Sequence, residues 1–172
     1  MPEQPEQPEQ EATDLVRLCD DEGNSVVVRV TGRDTPGVLT GHDTLVARIV
    51  LTTGFVGGHL DVRLSPRVLT AWDTALDALA AGRDIRWLMG HGPEVRIRVE
   101  GERGCPEVVV EDVSMSMVTV VVPVAVEENW VEDHRRRLED VRRRWPEEVT
   151  ESSSGVYEWR ASRPAPGAPP TG

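Results

Sequence analysis

The 172-residue chain has no lysine; its 19 basic residues are all arginine, set against 30 acidic residues for a net charge of −11. That absence excludes a Walker A lysine, the ATP-pairing lysine of protein kinases, and Schiff-base chemistry on side-chain amines. Cysteine is scarce: Cys19 and Cys105 stand far apart and predict reduced, structural thiols rather than a disulfide framework. No apolar run approaches the span of a bilayer, and the N-terminus is acidic and proline-rich. The expectation is a cytoplasmic protein without a signal peptide or membrane contact. G-x-S-x-G, H-E-x-x-H and C-x-x-C are all missing, so no catalytic residue, cofactor or metal is assigned. Adjacent acids such as Asp20-Asp21 carry no weight in so acidic a chain.

Acidity also bears on partners. A net negative protein repels phosphate backbones at long range, so nucleic acid needs a local basic patch to bind.

Composition divides the chain in three. Residues 1–13 contain three P-E-Q copies, and 161–172 form a Pro/Ala/Gly tail. Neither carries the apolar side chains of a core, and both are expected to be disordered. The folded domain is expected over 14–160.

Within it, period-two alternation marks the strands. D-L-V-R-L-C and N-S-V-V-V-R-V-T flank a Gly-containing loop. L-V-A-R-I-V-L-T-T-G-F-V and H-L-D-V-R-L-S flank Gly57-Gly58, which predicts a two-residue turn. Counting outward places Phe55 opposite Leu60, Thr53 opposite Val62 and Leu51 opposite Leu64, on the apolar side. Ser65 then caps a helix with Pro66 at its first position, and Leu69, Trp72, Leu76 and Leu79 form its buried stripe before Gly82. E-V-R-I-R-V-E, E-V-V-V-E and the long S-M-V-T-V-V-V-P-V-A-V read as three further strands. Pro123, lacking an N–H, marks an edge or bulge in the last. The predicted fold is α+β: a mainly antiparallel sheet of about seven strands with two helices, in the order ββββαβββα. V-Y-E-W is a candidate short C-terminal strand.

The second helix, 130–145, holds the chain's most suggestive stretch, H-R-R-R-L-E-D-V-R-R-R-W-P. Val131, His134, Leu138, Val141 and Trp145 step by three and four, a single apolar stripe that leaves out both Arg triplets. Glu132, Asp133, Glu139 and Asp140 each lie four residues before an arginine, the favourable orientation for ion pairs. Asn129 and Glu132 have the spacing of a capping box. A solvated, salt-laced face is therefore favoured over a nucleic-acid site. Arg135, Arg136, Arg142 and Arg143, with Trp87 and Trp130, are the candidate contacts for a protein partner.

Other candidates are thinner. His42 and Asp43 end the Gly-rich loop Thr35–Thr44 and are the candidate ligand-binding pair. That loop has no basic residue and no following helix, so a plain connection is favoured. His59 and Asp61 share a strand face with nothing nearby to complete a metal site, and His91 sits in a G-H-G loop. Arg29, Arg48, Arg63, Arg96 and Arg98 fall on the polar side of the sheet, where cross-strand pairing with acids such as Asp61 and Glu94 is favoured over ligand binding.

Taken together, V-L-T-G-H-D (38–43), S-P-R-V-L-T-A-W (65–72), G-R-D-I-R-W-L (82–88), W-V-E-D-H-R-R-R-L (130–138) and W-P-E-E-V (145–149) resemble an uncharacterised family of actinobacterial proteins known only as a domain of unknown function. The resemblance runs from about 14 to 160 and transfers no catalytic or binding residue. The element order is also similar, as architecture alone, to small immunity proteins that neutralise bacterial polymorphic toxins. The resulting expectation is a non-enzymatic domain that binds an unidentified protein, immunity-like in its sharpest form. The alternatives are an enzyme of unrecognised class near His42 and Asp43, and nucleic-acid binding through the Arg-rich helix.

Overall fold

A computed structural model describes residues 12–34, 39–90 and 92–160. The P-E-Q lead, the C-terminal tail, His91 and the start of the Thr35–Thr44 loop lie outside the described residues. Strands β1 (Thr13–Cys19), β2 (Ser25–Arg33), β3 (Leu45–Thr52) and β4 (Gly57–Leu64) form one antiparallel meander. Helix α1 (Pro66–Ala80) follows. A second antiparallel meander comprises β5 (Ile85–Trp87), β6 (Glu94–Arg98), β7 (Glu107–Glu111) and β8 (Thr119–Pro123). Helix α2 (Trp130–Arg144) and a separate hairpin, β9 (Val149–Ser153) with β10 (Val156–Trp159), complete the order.

The fold is thus α+β with two helices, but the strands divide into sheets of four, four and two. The expected sheet of about seven strands does not form, because α1 intervenes between β4 and β5 and those strands do not pair. Two strands are additional to the prediction: β5, I-R-W, too short to show a period, and β9, which pairs with the V-Y-E-W strand. One hydrophobic cluster nevertheless draws on both large sheets and both helices, including Leu15, Ile49, Trp72, Ile97, Val122 and Leu138.

The helices sit crosswise. The ββββα order occurs twice, yet α1 packs against β5, and α2 packs against β1. Trp87 donates its indole N–H to the Val68 carbonyl at 3.0 Å. His134 reaches β1, where its Nε2 accepts the backbone N–H of Arg17 at 3.0 Å.

Helix α1 is built as its sequence predicts. Ser65 accepts from the Val68 N–H, Pro66 opens the helix, and Leu69, Trp72, Leu76 and Leu79 are all buried. Helix α2 buries His134, Leu138, Val141 and Trp145, but Asn129 makes no side-chain capping bond, so the capping box does not close. The β3–β4 hairpin departs further. Leu51 pairs with Gly58, Ile49 with Leu60 and Leu45 with Leu64. The loop is Thr53–Val56, closed by the Thr53 hydroxyl accepting the Val56 N–H at 2.8 Å, and both glycines belong to β4. The register differs from the predicted one, while the residues that stay paired, Leu51, Leu60, Val62 and Leu64 among them, keep their predicted face. Phe55 moves from a paired strand position to the loop tip.

Candidate functional site

The sequence-derived candidates resolve first. Asp43 is buried, and its carboxylate accepts the N–H of Glu148 at 3.0 Å and of Val149 at 2.9 Å while pairing with Arg33. Arg33 also donates to the Pro146 carbonyl at 2.8 Å. His42 Nε2 lies 2.5 Å from Glu148, and its ring meets Trp159 edge-on at 4.6 Å. His42 and Asp43 are therefore together, as a clasp that fastens the β9–β10 hairpin to the 39–45 segment. A cleft of ≈ 250 Å³ beside them is lined by Thr40, Arg67, Glu147, Glu151, Tyr157 and Arg160, among others. Asp43, in its wall, is already committed to Arg33 and to the two backbone N–H groups.

The arginines of α2 are also occupied. Arg135 reaches Asp77 at 2.8 Å and Arg142 reaches Asp73 at 2.9 Å, both across to α1. One index rises as the other falls, so the two helices run antiparallel. Asp133 holds Arg137 at 2.6 Å and Arg136 at 3.4 Å; Arg143 pairs with Asp140, and Arg144 lies over the Trp145 ring at 5.3 Å. Of the four predicted i,i+4 pairs, Asp133–Arg137 forms. Trp87 is in the core against Trp72, at 4.9 Å between rings, and has no surface to offer a partner. Trp130 is half-buried beside His134. Of the named set, Arg136, Arg142 and Arg143 stay exposed, Arg142 while paired with Asp73.

On the sheet faces, Arg29 pairs with Asp14, Arg48 with Asp61, Arg63 with Asp34, Arg96 with Glu94 and Glu111, and Arg98 with Glu107. The Arg29, Arg48, Arg98 and Arg96–Glu111 pairs are cross-strand as predicted, whereas Arg96–Glu94 lies within β6 and Asp34 follows β2. Both cysteines are free thiols, and among the described residues no three His, Cys, Asp or Glu side chains cluster as a metal set.

The feature that sequence reasoning missed lies where the two large sheets part. Ile49 and Leu51 of β3, Leu60 of β4, Val110 of β7 and Val118 and Val120 beside or on β8 line an apolar cleft of ≈ 170 Å³, with His59, Asp112 and Ser116 among its polar lining. That volume is close to the roughly 150 Å³ that accommodates a benzene ring. Two tight turns flank it. In one, Thr53 organises the tip and leaves Phe55 97 % exposed. In the other, the Asp112 carboxylate accepts the N–H groups of Met115 at 3.1 Å and Ser116 at 2.9 Å and the Ser116 hydroxyl at 2.8 Å. Those bonds, Ser116's foremost, hold Asp112 below the ordinary carboxylate range. The turn leaves Met115 86 % and Met117 74 % exposed, with Met117 in the left-handed region at φ 59°. Unbranched Met in that conformation is uncommon and carries a backbone cost. Val118 adds to the same apolar margin. Large apolar side chains held in water beside an apolar cleft mark contact surfaces.

A family's sequence profile matches residues 13–146, through both large sheets and both helices. The chain belongs to DUF5959, a family of unknown function. The DUF5959 match spans Phe55, the Asp112 turn and Asp43, and stops before the β9–β10 hairpin that Asp43 fastens. No curated protein and no solved structure matches the chain. No helix among the described residues is long and apolar enough to cross a membrane.

Proposed function

We propose that this DUF5959 chain is a non-enzymatic protein-recognition domain. It docks a basic partner by inserting one of the partner's apolar side chains between Phe55 and the Met115–Met117 turn. The observation that carries this reading is the placement of three large apolar side chains in water, on two hydrogen-bonded turns, beside a cleft of side-chain size. The net charge of −11 supplies long-range attraction for a positively charged surface. Neutralisation of a toxin, the immunity-like role, is the sharpest form of the reading.

An enzyme centred on His42 and Asp43 gains no support from the geometry, since Asp43 is spent on backbone N–H groups and Arg33. Nucleic-acid binding through α2 gains none either, since Arg135 and Arg142 are tied to α1 and Arg136, Arg137 and Arg143 to acids on α2.

The test is capture on the immobilised full chain against a Phe55→Ser, Met117→Ser variant. The reading predicts a stoichiometric basic protein held by the native chain, released by salt, and lost from the variant. Equal retention by the variant, or a steeply salt-dependent oligonucleotide shift instead, contradicts it.

A further inference from the structure

Four outer edges bound the two large sheets, and three of them are guarded. Helix α2 covers β1, with the outward N–H of Arg17 bonded to His134. Helix α1 packs against β5. Edge strand β4 carries exposed His59, Asp61 and Arg63, the charged dressing that discourages strand addition. Strand β8, T-V-V-V-P, is an edge with no charge, and among the described residues it pairs with β7 alone.

Its hydrogen-bond parity can be read directly. Val124 donates its N–H to Pro106 at 2.9 Å, and Val118 accepts from Asp112 at 3.0 Å. Even-numbered residues therefore bond inward to β7, in a register that pairs Val122 with Val108 and Val120 with Val110. Thr119 and Val121 turn both N–H and C=O outward, and Pro123 offers a carbonyl only. Thr119 and Val121 are exposed.

We propose that two copies of this chain pair antiparallel through β8, with a twofold axis at Val120 and Thr119 of each copy opposite Val121 of the other. This inference goes beyond the recognition role proposed above and uses the outward backbone edge of β8 rather than the side chains that line the cleft. In this register each copy contributes two N–H donors and two carbonyls, so four hydrogen bonds close and no outward group of Thr119 or Val121 is left over. A shift to Val121 opposite Val121 sets Thr119 against Pro123, which has no N–H, and strands the Thr119 carbonyl. Pro123 thus selects the register and ends the pairing on one side. The Met117 N–H, already bonded to the Asp112 carbonyl at 2.9 Å, ends it on the other. A twofold contact of this kind is self-complementary and closed, so it consumes the open edge without growing into a fibre. Both partners carry the same −11 charge, so screening strengthens their association. This is opposite to the salt response of a basic partner.

Sedimentation equilibrium of the full chain, across concentration and salt, tests the pairing. The expected mass is twice the 19.0 kDa chain, with dissociation on dilution and at least a several-fold tightening from low to physiological salt. Val121→Lys is expected to give single chains, because edge lysines oppose one another across the axis. Phe55→Ser is expected to keep the native mass, which separates this pairing from the docking site. A native chain of single mass at all concentrations, a Val121→Lys chain that still pairs, a dimer that salt dissolves, or loss of the dimer in Phe55→Ser each overturns the proposal.

Discussion

The backbone N–H of Arg17 on β1 donates to the ring Nε2 of His134 on α2 at 3.0 Å, while the Nδ1 of the same ring lies 2.6 Å from the Trp130 carbonyl. Both ring nitrogens are thus occupied in a neutral imidazole, Nδ1 donating and Nε2 accepting. Desolvation, with Arg137 adding to it, pushes this histidine below its ordinary value of 6.5; the Trp130 carbonyl and Asp133 act the other way. Protonation must break the Arg17 bond, because an imidazolium has no acceptor.

The pH consequence follows from the depressed folded value. The unfolded chain takes up the proton first, so this contribution is complete above about pH 6.5 and is lost as pH falls from there. Asp20, Asp112 and Asp133 are also lowered, and their losses begin only below about 3.8. Urea unfolding measured from pH 7.5 to 5 should show falling stability. His134→Phe should lower stability by about 1–3 kcal/mol at pH 7.5, the cost of an unpaired buried N–H, and flatten the slope.

Asp43→Ala removes the acceptor for two backbone N–H groups and leaves the guanidinium of Arg33, which is 18 % exposed, without its main partner. Breaking a partly buried pair of this type costs about 2–4 kcal/mol. Amide exchange should accelerate over 147–160, with β1–β3 protected as before. Unchanged exchange in the hairpin contradicts the clasp.

Gly101 has no room for a side chain: an added Cβ falls 2.2 Å from Glu107 Cγ. Glu107 is buried and accepts the Glu102 N–H at 2.9 Å. Gly101→Ala should therefore displace Glu107 and cost about 1–3 kcal/mol, read as a lowered denaturation midpoint.

The Arg135–Asp77 and Arg142–Asp73 links join α2 to α1 on an exposed flank, where ion pairs contribute at most about 1 kcal/mol each. A double-mutant cycle on Arg142 and Asp73 should give a coupling in that range which fades with salt. A coupling several times larger contradicts the view of these arginines as a solvated face.

Local periodicity made much of this fold legible. The stripes Leu69–Trp72–Leu76–Leu79 and His134–Leu138–Val141 settled both helices and their buried faces. Alternation settled which side of β3 and β4 faces the core, since faces depend only on parity. Register was not legible, because Gly57-Gly58 is a strong turn signal and the Thr53 hydroxyl closing the real loop is a weak one. The division into separate sheets, the link of Asp73 and Asp77 to α2, and the docking of Glu148 on Asp43 are contacts between distant segments, which no local pattern encodes. The apolar cleft escaped for the same reason: β3 and β8 each read as ordinary core strands, and Phe55, Met115 and Met117 are exposed by turns rather than by their hydropathy.

Hydroxyl-radical footprinting of the full chain, alone and with a captured partner, tests the docking surface most directly. The account predicts that Phe55, Met115 and Met117 oxidise readily in the free chain and become protected in the complex, while the Arg136–Arg143 face of α2 keeps its reactivity. Protection confined to α2, with Phe55 and both methionines as reactive as before, contradicts it.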